Sequence, residues 1–152
     1  MSYSAIYYHI VIRTYRSVPT IDEANERELY GYILGMCRNL DVTLIRIGGM
    51  PDHIHLLVGV PPTLCVAEFV RRLKRSTSSW LKTKKDLFPN FDSWSNGYAA
   101  FSYSRNDLPT IKQYIMNQKT HHHSVSFIQE YREWLASNGI TIDDRYFMKD
   151  DE

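Results

Sequence analysis

The 152 residues suit one domain of ordinary size, with enough chain for a real core and too little for two comfortable ones, so a single domain over 1–152 is expected. Apolar residues make up 43% and charged residues 23% without any low-complexity tract, which excludes a disordered or fibrous chain. No apolar run approaches the roughly 20 residues of a membrane helix and Met1-Ser2-Tyr3-Ser4 opens no secretion signal, so a cytoplasmic protein without membrane contact is expected; a net charge of +1 leaves any nucleic-acid affinity to local clustering.

Ser4 to Thr14 alternates, with Ile6, Tyr8, Ile10 and Ile12 on one side, and predicts a strand. Thr20 followed by Glu23 has the spacing of a capping box, and Leu29, Ile33, Met36, Cys37 and Leu40 recur at helical spacing, predicting a helix over 22–39. Val42–Ile47 and His53–Val60 read as paired strands joined by Gly48-Gly49-Met50-Pro51-Asp52. Val66, Phe69, Val70, Leu73, Thr77, Trp80 and Leu81 form the stripe of a second helix over 64–83. Asp86 to Gly97 reads as a loop and Tyr98 to Ser104 as a fourth strand. Leu108 to His121 predicts a helix with Pro109 in its first turn, and 124–137 a last one with Ser124 as cap, a stripe of Val125, Ile128, Tyr131 and Leu135, and Asn138-Gly139 as its stop. Cys37 and Cys65, alone and far apart, suggest neither a disulfide framework nor a zinc ribbon. The order is β-α-β-β-α-β plus two helices: an α+β, ferredoxin-like (RRM-like) sheet with added C-terminal helices.

On the third strand Ile54, Leu56 and Val58 point one way, towards the helix-covered face, while His53 and His55 point the other, with Cα atoms about 6.6 Å apart. Two imidazoles at that separation can converge on one cation, or simply occupy a solvated strand face. No further ligand lies at a familiar zinc spacing, which leaves magnesium or manganese with an added oxygen ligand open. On the penultimate helix Tyr114 and Gln118, at i and i+4, share a face beside the Leu108, Ile111 and Ile115 stripe, so a phenol could attack where an amide oxygen completes a ligand set. On spacing alone that tyrosine reads more readily as a core-rim residue. His121, His122 and His123 diverge by about 100° per residue and cannot all face one ion, so they read as solvated or phosphate-facing rings.

Between Arg71 and Lys85 stand Arg71, Arg72, Lys74, Arg75, Lys82, Lys84 and Lys85 without one acidic residue. The apolar stripe crowds these cations onto the remaining surface, a strip suited to phosphates, with Ser76, Ser78 and Ser79 as neutral donors. Tyr98, Phe101 and Tyr103 read equally as base-stacking or as strand-core residues.

The run Pro51-Asp52-His53-Ile54-His55-Leu56-Leu57-Val58, with Tyr114-Ile115-Met116-Asn117-Gln118 further on, resembles the single-tyrosine HUH transposase family of small bacterial insertion sequences. The likeness extends from the first strand through the basic helix and Trp94–Ser104 to the tail Gly139–Phe147. It implies that His53, His55 and Gln118 bind Mg²⁺ or Mn²⁺ and that Tyr114 is the nucleophile. It also implies that single-stranded DNA is cut and rejoined through a 5′-phosphotyrosine link, with hairpins near element ends recognised through the basic helix. The protein would be a homodimer whose active sites combine the histidines of one subunit with the tyrosine helix of the other. Competing readings are a domesticated relative serving host repeats, a non-catalytic nucleic-acid-binding domain, and a metal hydrolase that activates water.

Overall fold

Four period-two segments pair into one antiparallel sheet, β1 (Tyr7–Arg13), β2 (Thr43–Met50), β3 (His53–Gly59) and β4 (Ala99–Tyr103), in the spatial order β2-β3-β1-β4. The helices are α1 (Glu26–Asn39), α2 (Val66–Thr83), α3 (Leu108–Met116), α4 (Gln118–His121) and α5 (Phe127–Ser137). This computed structural model describes residues 2–122 and 124–150, so the expectation for His123 lies outside the described residues. The architecture is the expected α+β, ferredoxin-like one.

Alternation sorts the two sheet faces. Ile10, Ile12, Ile54, Leu56 and Val58 face α1 and α2, where Leu29, Ile33, Phe69 and Leu73 complete the main core. The loop after α2 belongs to that core as well: Phe88, Phe91 and Trp94 are buried in it, and the Trp94 indole donates to Thr77 Oγ1 at 2.9 Å. Residues of opposite parity, His9, Val11, His53, His55 and Leu57, face the other way. That second face is covered too: Leu57 packs with Ile111 and Ile115 of α3, and Val11, Ala99 and Phe101 pack with Phe127 of α5. His53 and His55 therefore stand in a closed interior rather than on a solvated face.

Local corrections have local causes. The β2–β3 ladder runs through Gly48, Gly49 and Met50, so only Pro51-Asp52 makes the turn where a five-residue connection is expected. A bulge between Leu44 and Arg46 breaks strict alternation and sends Ile45 to the α3 side, while Leu44 and Ile47 pack on the main core. The predicted capping box is not used. Helix α1 starts at Glu26, and the Thr20 hydroxyl is buried without a partner while its backbone N–H donates to the Pro51 carbonyl. Helix α5 is capped by Ser126, which accepts from Gln129 N at 3.2 Å, and not by Ser124. Its inward face is Phe127 and Glu130, while Ile128 is left 51% exposed, so the predicted stripe is rotated. The predicted 108–121 helix breaks at Asn117 into α3 and α4.

Gly48 matters for where α3 sits. A Cβ there would stand 2.8 Å from the Ile115 carbonyl oxygen, so the missing side chain is what lets the tyrosine helix lie against β2. Among the described residues no helix is long and apolar enough to cross a membrane.

Candidate functional site

Strand β3 delivers His53 and His55, both 0% exposed, to the face under α3–α5, and α3 and α4 bring Tyr114 and Gln118 above them. These four side chains converge on one carboxylate, that of Glu130 on α5. Glu130 Oε1 lies 3.0 Å from His55 Nε2 and 3.4 Å from His53 Nε2. Glu130 Oε2 accepts a short hydrogen bond from the Tyr114 hydroxyl and one of 3.0 Å from the Gln118 amide. Gln118 Oε1 is 3.1 Å from His53 Nε2, and Tyr114 stands beside them, all within one chain.

Glu130 escaped sequence reasoning because α5 was read with a purely apolar stripe. The signal was a carboxylate one turn from Phe127 and from Trp134, on the face those rings bury. His122 also escaped it. Expected as a solvated ring, it has a 5% exposed side chain with Nε2 at 3.0 Å from Glu130 Oε2. The helix ends at His121, and a bond of 2.6 Å between His122 Nδ1 and the Val125 carbonyl turns the ring inward.

One ligand atom from each of His53, His55, His122 and Glu130 fits within a set no more than 4.8 Å across. Ligands about 2.0–2.3 Å from a cation stand about 3–4.5 Å from one another, so small side-chain movements suffice. Two further observations fit a cation. His122 Nε2 is buried and faces Glu130 Oε2 at 3.0 Å, inside the group. The distal nitrogens of the three rings are all held, by Asp52 Oδ1 at 2.7 Å for His53, His9 Nε2 at 2.7 Å for His55 and the Val125 carbonyl for His122. Outer partners of that kind orient metal-binding imidazoles. This His/Glu group could hold a metal ion.

The charges follow from burial and contact. Burial alone would push the Glu130 carboxyl up, but the imidazoles of His122, His53 and His55 outweigh it and hold the group well below the usual carboxylate range. Burial works against a charged His53, yet its bonds to Asp52 and the nearness of Glu130 raise it above an ordinary histidine. Burial lowers His55 to about 4, and His9, buried beside it, is lowered as well. The Tyr114 phenol is pushed well up, first by burial and then by its bond to the charged Glu130, so it is held as a neutral hydroxyl.

A pH dependence of stability follows for the metal-free protein. Histidines in the unfolded chain take up protons near pH 6.5, while His55 refuses one until about pH 4 and burial beside it also holds His9 below its ordinary value. The unfolded state therefore binds more protons in that window, and stability falls as pH drops through it, by about 1.4 kcal/mol per pH unit for each ring kept neutral. His53 is shifted the other way, so its contribution is present below pH 6.5 and is lost only as pH rises. Urea midpoints in metal-free buffer should decline from pH 6.5 to pH 4, and a flat profile would show that the two rings are not held neutral.

The predicted DNA-contact cations sit elsewhere. Helix α2 covers the main-core face, so Arg71, Arg72, Arg75 and Lys82 lie across the sheet from the histidines. Glu68, three and four residues upstream, pairs with Arg71 at 2.7 Å and Arg72 at 2.8 Å, an acid just outside the stretch that reads as wholly basic. Lys74 is turned to the loop, donating to the carbonyls of Ser95 at 2.8 Å and Gly97, and its burial and the nearby Arg13 lower it to about 8. Arg71, Arg72 and Arg75 line one shallow depression with Ser76 and Ser79. Phe101 is a buried core residue, stacked on Trp134 with ring centroids 5.6 Å apart.

A His-x-His strand beneath a tyrosine on α3 and a glutamine at the start of α4, on a ferredoxin-like sheet, defines a protein of the single-tyrosine HUH class. The chain belongs to the family described as "Transposase IS200 like", whose sequence pattern matches residues 2–118. It is 31% identical over 117 residues, 73% of this chain and 75% of the relative, to the transposase for insertion sequence element IS200 of Salmonella typhimurium. To the ISDra2 transposase TnpA of Deinococcus radiodurans it is 30% identical over 74 residues, 45% of this chain and 52% of that one. Its fold is shared with a candidate transposase from Deinococcus radiodurans at a TM-score of 0.57, with 24% identity over 77% of this chain and 93% of the other. A REP-associated tyrosine transposase bound to a REP hairpin matches at a TM-score of 0.59, with 15% identity over 82% and 76% of the two chains.

Proposed function

We propose that this transposase cleaves and rejoins single-stranded DNA through a 5′-phosphotyrosine on Tyr114, with Mg²⁺ or Mn²⁺, and recognises hairpins at element ends. The observation that carries the reading is the convergence of the Tyr114 hydroxyl, the Gln118 amide and the two strand histidines on one carboxylate. Here His53, His55 and Gln118 would hold the cation, with His122 and Glu130 offering further donors. When bound, it polarises the scissile phosphate and offsets charge developing there.

The Tyr114 oxygen attacks phosphorus in line, forming the phenolic P–O bond as the bond to the 3′ oxygen breaks. Glu130 Oε2, already accepting from that hydroxyl, is placed to receive the phenolic proton as the P–O bond forms and, being held well below the usual carboxylate range, passes it on to solvent rather than keeping it. The departing 3′ oxygen takes a proton from solvent and becomes a free hydroxyl. Its later attack on the phosphotyrosine rejoins strands, and because bond energy is conserved no nucleotide cofactor is needed. Arg71, Arg72, Arg75 and Lys82 form the proposed hairpin surface, Lys74 being engaged by the loop carbonyls instead, with binding and cutting on opposite sheet faces. The hairpin carried by a neighbour of the same fold supports that choice of ligand. Packing that is continuous from β1 to α5 supports a single domain over 1–152.

The test is incubation of the protein with end-labelled single-stranded hairpin oligonucleotides from its flanking DNA, with Mg²⁺ or Mn²⁺, on a denaturing gel. A metal-dependent protein–DNA adduct is expected. Binding to verified end sequences without any adduct would point to a non-catalytic descendant.

The homodimer with composite sites that family membership implies is proposed as well. Within this chain Tyr114 lies over its own histidines, their rings 5.8 Å apart for His55, so exchange would carry the tyrosine helix across to a second copy. Mixed Tyr114→Phe and His53→Ala proteins, each inactive alone, should regain adduct formation, because one composite site in each mixed dimer joins intact histidines to an intact tyrosine. A mixture that stays inactive would place both parts of each site in one subunit.

A further inference from the structure

The three outer partners in the site are not equivalent. Asp52 and the Val125 carbonyl only accept, so they favour a proton on Nδ1 of His53 and His122. His9 is an imidazole, and its Nε2 donates in one tautomer and accepts in the other.

His9 is also built into the site. It lies on β1 with the same parity as His55, is 0% exposed, and stacks on the His55 ring with centroids 5.0 Å apart and planes 24° apart. Rings of Trp134, Phe101 and Tyr114 wall it in. Its second nitrogen, Nδ1, is buried with no hydrogen-bond partner, an arrangement that a residue placed only for packing would not need.

We propose that His9 is a positioning residue for His55, acting as a reversible hydrogen-bond partner that keeps the ring aimed whether or not a cation is present. Without metal, His55 Nε2–H donates to Glu130, which leaves Nδ1 bare, and His9 Nε2–H donates to it. When His55 Nε2 gives its lone pair to a cation, its proton passes to solvent. The proton of His9 Nε2 crosses to His55 Nδ1, and His9 Nδ1, buried behind the rings, takes one up during the transient openings through which buried groups exchange with solvent. Each ring carries one proton before and after, and the 2.7 Å bond between them persists with its direction reversed. This rests on the reading of His53, His55 and Gln118 as cation ligands.

Mn²⁺ binding by calorimetry and ring-nitrogen NMR with Zn²⁺ as a diamagnetic probe test it on the full chain. Loss of the outer partner in His9→Phe should weaken Mn²⁺ affinity by about 10- to 100-fold, the usual scale for such contacts. His9→Gln, whose amide both donates and accepts, should stay close to wild type. In the unaltered protein both rings should move from the Nε2–H to the Nδ1–H form when Zn²⁺ is added, which requires no variant to fold. Equal affinity for wild type and folded His9→Phe, or a His55 ring already in the Nδ1–H form without metal, would overturn the role of His9 alone. Mn²⁺ binding that ignores His55→Ala would overturn the metal reading beneath it, and His9's role with it.

Discussion

Tyr114→Phe is expected to abolish the covalent protein–DNA adduct and lower strand cleavage by about a thousandfold or more, the scale on which removal of a nucleophile acts. Hairpin binding should stay near the wild-type level, because the proposed contact surface lies across the sheet. The substitution removes one oxygen and leaves the ring packed against Trp134, at 5.1 Å between centroids, and against His121 at 5.3 Å. The fold should therefore be retained, with the lost bond to the charged Glu130 worth about 1.5–3 kcal/mol. Continued metal-dependent cutting by the variant would mean that water is the nucleophile and the protein a hydrolase. His53→Ala complements the test, since either chemistry should then lose its metal dependence.

Glu130→Ala is expected to be the most destabilising single change in the site, costing roughly 3–5 kcal/mol in metal-free protein, as when one partner of a buried charged cluster is deleted. The side chain is 2% exposed and carries the bonds from His55, Gln118 and Tyr114. A melting temperature lower by roughly 10 °C is the corresponding readout for a chain of this size. Glu130→Gln keeps the shape and part of the hydrogen bonding, so its loss should be smaller while adduct formation still falls, because an amide cannot take the phenolic proton. Saturating Mn²⁺ should raise the melting temperature of wild type more than that of either variant. If the three proteins melt together and gain equally from Mn²⁺, Glu130 is neither the hub of the cluster nor a donor to the cation.

Much of this was legible in the residues. Alternation in His53–Val58 separates His53 and His55, with Leu57, from Ile54, Leu56 and Val58, and the wholly apolar set has only the main core to face. The i, i+4 spacing of Tyr114 and Gln118 sets phenol and amide on one side even across the break at Asn117, since both still reach Glu130 Oε2. The β-α-β-β-α-β order likewise follows from periodicity, because each apolar stripe must find a partner layer.

Tertiary structure alone decided the rest. His9, His55, Gln118, His122 and Glu130 come from β1, β3, α4, the turn after it and α5, and apart from Gln118 and His122, four residues apart, no local spacing relates them. Their meeting depends on α3–α5 closing the second sheet face, and that closure changed the environment of the histidines from water to a buried polar cluster. Once inside, each ring needed a partner, which is why Asp52, His9 and Val125 became part of the site. Helix ends behaved in the same way: Thr20 lost its predicted cap because the chain before α1 is tied to the Pro51 carbonyl. Patterns of period two and 3.6 specify which face a residue takes on its own element. Which faces then meet, and which charges they must satisfy between them, is set by packing elements far apart in the chain.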